Sequence, residues 1–277
     1  MAFWDKFFNR RSAPPQETVN KIDSPTVTDN MLNNLALAES IYSNQPPWLA
    51  EESPPMKGSG LGALIAAKVA RLVTIESKVS IDKSIVFDEE KRKILDSVLQ
   101  KYLMENIRVE VEKGWALGGL ILKPFYKEAE FELGPNNEIV KITGRLKIDF
   151  IYPSQFLINK YDNSGLISEI MFFTTIAQDS KYYTLVEKQG FDEKTSALKI
   201  TNKLYKTFKK PTKYRWDDLG NDIVPLSTVE KWKNILPEMV FPNVQGTLVG
   251  FYKPAVANNV EVNSPYGMSG LYVLKML

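Results

Sequence analysis

The hydrophobic pattern of this chain changes period once, at a pair of glycines, and that switch constrains its fold more than any other feature. Up to Gly118 and Gly119 the apolar residues recur at helical spacing, and beyond them β-branched and aromatic residues run in strand-like stretches. The switch sits inside EKGWALGGLILKPFY (residues 112–126), with three glycines and two lysines around an apolar run. A phosphate-binding loop needs the opposite order: a strand, spaced glycines, then Lys-Ser/Thr opening a helix whose amides converge on the anion. Here the glycines end a helix and precede a strand. Gly118 and Gly119 therefore read as a helix C-terminal cap, with Gly114 one turn upstream. Pro124 marks an edge or bulge in the strand that follows.

On the helical side, residues 30–43 form one amphipathic helix, and QPPWLAEESPPM (45–56) is a proline-rich break anchored by Trp48 and Leu49. Ser59 is placed to cap the next helix. Its Leu61, Leu64, Ile65, Val69, Leu72 and Val73 form an apolar stripe expected to be buried. A third helix starts at Asp88, where Asp88, Glu89 and Glu90 suit the positive end of the helix dipole; it runs, with a break near Asn106, to Trp115. On the strand side come ILKPFY, EIVKITGRLKIDFIY, LISEIMFFTT, KYYTLVEKQ and ALKITNKLYKTF, separated by the turn-rich GPNN, YDNSG, AQDS and GFDEKT. Ser227 and Glu230 form a capping box for a short helix, and residues 246–254 form a last strand. The fold class expected is α+β, with N-terminal helices followed by a mainly antiparallel sheet.

Three parts are expected. Residues 1–58 form an arm of short helices and proline-rich linkers, residues 59–254 an α+β domain, and residues 255–277 the start of a further segment. In the arm, Phe3, Trp4, Phe7 and Phe8 gather on one side of a short helix, which either folds back onto its own domain or a neighbouring subunit or lies on a membrane surface. No apolar run reaches the ~18 residues of a membrane-spanning helix.

The chain has no cysteine and no histidine, which removes thiolate chemistry, imidazole acid–base catalysis and every Cys/His zinc site. Ser264 lies outside any G-x-S-x-G elbow. Asp149, Asp162, Asp217 and Asp218 are the carboxylates that a metal-dependent phosphodiesterase would need, although their spacing identifies no site and Asp217 and Asp218 also suit a turn. No cofactor is implied. Formal net charge is +2, so global electrostatics give little attraction to nucleic acid. The local exception is residues 199–215: Lys203, Lys206, Lys209, Lys210, Lys213 and Arg215 are interleaved with Tyr205, Phe208, Tyr214 and Trp216. That composition fits a nucleic-acid-binding strip or a subunit contact, and equally the wet face of a sheet.

Taken together, IAAKVARLVTIE (65–76), EKGWALGGLILKPFY (112–126), DFIYPSQFLI (149–158), GLISEIMFF (165–173) and FYKPAVANNVEVNSPYGMSGL (251–271) resemble, in order and separation, phage portal proteins of the minor-capsid subgroup from Gram-positive phages and prophages. The FWDKF start and the PPWL segment fit the same likeness. The resemblance implies a wing-like fold in a ring, usually twelvefold, located at the portal vertex of the virion and made in the host cytoplasm. It also implies no catalysis of its own. The partners implied are further copies of the chain, the terminase, head-completion or adaptor proteins, scaffolding and capsid proteins, and double-stranded DNA threading the ring; no membrane is implied. Such portals continue past the equivalent of Leu271 into stem, clip and crown, so the chain is expected to represent the N-terminal wing part alone.

Overall fold

The structure, a computed structural model, describes residues 29–50, 58–84, 86–162, 165–211 and 219–254. The aromatic N-terminal helix, Lys213 and Arg215, Asp217 and Asp218, Ser264 and the segment 255–277 lie outside the described residues.

Helices precede strands, in an α+β fold. The helices are α1 (Asp29–Tyr42), the single turn α2 (Pro47–Ala50), α3 (Leu61–Thr74), α4 (Glu89–Val98) and α5 (Ile107–Leu117). Helix α4 continues through a wider π-helical stretch, Leu99–Met104. Asp88 caps it as its sequence suggests: one carboxylate oxygen accepts from the amides of Glu90 at 3.0 Å and Lys91 at 3.1 Å. Ser59 contributes in part: its Oγ accepts from the Leu61 amide at 3.4 Å, but it is not the N-cap residue. The N-cap of α3 is Gly60, at φ 70°, and the side chain of Asn44, from the end of α1, accepts from the Gly60 amide at 2.9 Å. Trp48 is exposed and Pro46 is the buried residue of the PPW turn, so Trp48 is not an anchor.

The strands are β1 (Leu120–Leu133), β2 (Ile139–Ile151), β3 (Phe156–Tyr161), β4 (Ile167–Gln178), β5 (Lys181–Asp192), β6 (Ala197–Thr207), β7 (Ile223–Val224), β8 (Glu238–Phe241) and β9 (Gly250–Tyr252). They make two antiparallel sheets. One has the order β2-β1-β9; the other runs β3-β4-β5-β6-β7, with β8 also paired to β6. Strand β9 pairs with β1 only as far as Leu122, so at Pro124 strand β1 has β2 as its single partner and the proline removes no second ladder. No helix forms at Ser227. Two 3-10 turns, Leu226–Thr228 and Glu230–Trp232, replace it and bring buried Trp232 against Leu204 and Tyr183. Of the expected last strand, only Gly250–Tyr252 pairs.

The smaller sheet lies on one face of the larger. Ile121 and Ile151 meet Phe156, Ile158, Ile170 and Phe172, and α1 closes the same core with Met31 and Leu35. One polar chain crosses this apolar junction. Lys123 of β1 pairs with Glu187 of β5 at 2.5 Å, both side chains being less than one-fifth exposed, and its ammonium sits 4.6 Å from the centre of the Phe172 ring. Buried Gln189 donates to the other Glu187 oxygen at 2.9 Å and accepts from the Leu248 amide at 3.1 Å. Losing one member of a buried pair strands the other charge, whereas neutralising both does not. Lys123→Met is therefore expected to cost about 3 kcal/mol in urea unfolding, and Lys123→Met with Glu187→Gln to regain most of that. Equal losses in the single and double variants would show that the pair holds nothing.

Candidate functional site

The glycine joint of residues 112–126 is built for close packing. Gly118 ends α5 at φ 83°, a left-handed conformation that side chains with a Cβ rarely adopt, and its amide bonds to the Gly114 carbonyl. The Gly119 amide reaches the same carbonyl at 2.9 Å. A Cβ at Gly114 would meet that of Leu120 at 2.9 Å, and one at Gly119 would meet the Phe251 ring at 3.2 Å. These amides close a helix C-terminus, the negative end of the dipole, which does not favour an anion.

Segments distant in sequence converge at this joint. Around Gly119 stand Pro153, Phe156 and Phe251, and the Phe156 and Phe251 rings pack edge to face with centroids 6.1 Å apart. Ile170 and Phe172 complete the same core. Four of the five stretches named above, 112–126, 149–158, 165–173 and the start of 251–271, therefore share one packing centre. Two tyrosines brace α5 from outside it. Tyr42 donates to Glu112 at 2.9 Å, and Tyr152 donates to Glu110 with Lys113 over its ring. Burial and the bond to Glu112 push the Tyr42 hydroxyl up to about 12, and burial with the Glu110 contact raises Tyr152 as well.

The fifth stretch, 65–76, lies in α3, and it is turned the opposite way from its apolar stripe. Ala66 and Ala70 are fully buried, Ala66 packing with Ile41 and Ala116, whereas Leu61, Leu64, Leu72 and Val73 are 48%, 56%, 75% and 53% exposed. Of the stripe expected to be buried, Leu61, Leu64, Leu72 and Val73 are thus exposed, and Ile65 and Val69 are half-buried. Small residues win the inner face because α3 packs closely against α5, where a leucine would force the helices apart.

The basic strip is divided rather than gathered. In β6 alternate side chains point to opposite faces, so Lys199 and Lys203 lie on one side and Lys206 on the other. Lys206 pairs with Asp222 at 2.7 Å and Lys199 with Glu238 at 2.9 Å. Lys209 and Lys210 are exposed beyond the strand. Among the described residues, these lysines form no single cationic track.

The acidic candidates are dispersed too. Asp149 is exposed and accepts from the next amide, Asp162 accepts from the Leu166 amide at 2.7 Å in a turn, and no group of three acidic residues among the described residues is placed to hold a metal ion. Glu169, which the sequence did not single out, is a largely enclosed carboxylate with several partners: it takes a hydrogen bond from Asn159 at 2.8 Å and pairs with Lys188 at 3.0 Å. A charged residue at an inward-leaning position of LISEIMFF was the available signal.

A groove of about 520 Å³ lies between α4 and the outer half of the β1–β2 hairpin, floored by Ile94, Leu95, Val98 and Leu146. Tyr102 and Tyr126 form its aromatic walls, and its charged lining is basic: Lys91, Lys101 and Arg145. The bulge in this half of the hairpin is in β1, where Glu128, at φ 58°, and Ala129 stand opposite the single Gly144, at φ 136°; a Cβ on Gly144 would approach the Lys127 carbonyl to 3.0 Å.

Two outcomes follow from these placements. Gly118→Val is expected to lower stability by about 1–2 kcal/mol, read from the urea midpoint at unchanged slope. Burial acts to raise the Glu169 carboxyl, but the bonds from Asn159 and Lys188 win and hold it below the ordinary value of 4.5. Its stabilisation is complete above that value and is lost as pH falls through the lowered one. Glu169→Gln should accordingly flatten the fall in unfolding free energy between about pH 6 and pH 3; an unchanged acid slope would remove Glu169 from that role. No helix among the described residues is long and apolar enough to cross a membrane. No protein-family model matches the chain, and no curated protein matches it.

Proposed function

We propose that the chain is a structural assembly protein, the wing part of a phage portal ring, which works by fitting neighbouring copies rather than by turning over a substrate. The observation that carries this reading is the convergence of its portal-like segments. Pro153, Phe156 and Phe251 stand around Gly119, and Ile170 and Phe172 share the same core, so stretches far apart in the chain pack at one place. Residues at a shared packing centre constrain one another, so similarity in these four separate segments describes one architecture rather than four coincidences.

The remaining segment supports the same reading by its position. Helix α3 turns its alanines inward and leaves Leu61, Leu64, Leu72 and Val73 in solvent. Covering one such leucine fully is worth about 1.5–3 kcal/mol, so several in a row supply a strong drive toward a neighbouring subunit. In this proposal the ring belongs to the portal vertex of a virion, with terminase, head-completion, scaffolding and capsid proteins as its other partners and double-stranded DNA passing through it. The divided lysines of β6 suit a conduit, because a continuous cationic track would retain the DNA.

Native mass spectrometry with electron microscopy of the full chain tests this. Closed oligomers are expected, and Leu72→Glu with Val73→Glu should abolish them while leaving the circular dichroism spectrum unchanged, since both side chains are exposed. A chain that stays monomeric at every concentration, with phage head proteins present, would overturn the assignment.

A further inference from the structure

We propose that the groove between α4 and the β1–β2 hairpin is a docking site for an acidic amphipathic segment of another protein. The floor sets the first requirement. Ile94 is 64% exposed on it, with Leu95, Val98 and Leu146 beside it, so the occupant must present apolar side chains. Aliphatic flooring of this kind suits a helix laying one face into a groove better than it suits stacked bases.

Charge sets the second requirement. Every charged residue lining the groove is basic, and Lys147 adds a further ammonium at its side. Lys101 and Lys147 lie 5.7 Å and 5.4 Å from the centre of the Tyr102 ring, and among the described residues neither forms an ion pair with a carboxylate. The rest of the rim is partly answered within the chain: Glu128 takes both oxygens to Arg145, at 2.6 Å and 2.7 Å, and Asp88 stands 3.7 Å from Lys91. Lys101 is exposed, whereas half-buried Lys147 also feels the Glu128 carboxylate, so Lys101 is the main cation left to meet an incoming carboxylate with Lys147 in support, and charge complementarity of this type selects the partner and speeds its arrival. The bulge at Glu128 and Gly144 holds the hairpin in the shape that leaves the groove open.

The site is separate from the exposed stripe of α3, so it stands whether or not the chain forms rings. Its test uses the full chain and fluorescence anisotropy with labelled synthetic helices of roughly 15 residues. One carries leucine at i, i+3, i+4 and i+7 with glutamate elsewhere, and a second replaces each glutamate with lysine. Single-stranded oligothymidylate is the third probe. The glutamate helix is expected to bind at least about tenfold more tightly than the lysine helix, with affinity falling as salt rises. Lys101→Glu with Lys147→Glu, and separately Ile94→Ser, should each weaken it about tenfold at an unchanged circular dichroism spectrum. No binding of the glutamate helix, equal binding of both helices, tighter binding of oligothymidylate, or indifference to these substitutions would each overturn the proposal.

Discussion

The rest of the fold depends on the contact between the two sheets. Strand β1 belongs to the smaller one but reaches the larger through Ile121 and Lys123, and α1 closes the same junction with Met31 and Leu35. An apolar junction alone tolerates sliding, because dispersion and burial are not directional. The Lys123–Glu187 pair, oriented over Phe172 and extended through Gln189 to the Leu248 amide, adds the missing direction. A one-residue slip would turn Lys123 away from Glu187 and bury its neighbours' side chains on the wrong face. The pair's contribution is then register as much as energy.

The helices meet this core through small residues. Gly114 lets α5 approach β1 and β9, and Ala66 and Ala70 let α3 approach its neighbours. Close approach of backbones has a consequence on the far side: the large aliphatic residues of α3 have nowhere to go except outward. The packing that makes the helical layer thin is also what creates an exposed apolar stripe, and the same layer leaves α4 standing off the hairpin to form a groove. Two outward surfaces of different chemistry result, one plainly aliphatic and one aliphatic with a basic rim.

Much of this was legible in the residues. The change of hydrophobic period at Gly118, the acidic start of α4 at Asp88 and the turn residues between strands each reflect a local rule: glycine takes positive φ, a carboxylate caps free amides, and alternation follows the pleat. Local rules also misled where two of them competed. Ser59 reaches the Leu61 amide only at 3.4 Å, while Asn44 from the end of α1 accepts from the Gly60 amide and donates to the Gly58 carbonyl, and nothing in the spacing of the two residues announces it. The stripe of α3 showed an amphipathic helix correctly and its orientation wrongly, because period identifies a face without saying which side the neighbours occupy.

The amino-acid sequence by itself thus determined the order of helices and strands, the place where one gives way to the other, and the absence of histidine and cysteine chemistry, since each depends on residue identity or on neighbours within a few positions. Tertiary structure alone decided that Lys123 meets Glu187, that alanine rather than leucine lines the inside of α3, that the lysines of β6 part to opposite sides, and that Lys147 comes to the Tyr102 ring beside Lys101. Those outcomes turn on contacts between residues far apart along the chain, and such contacts exist only once the sheets have stacked.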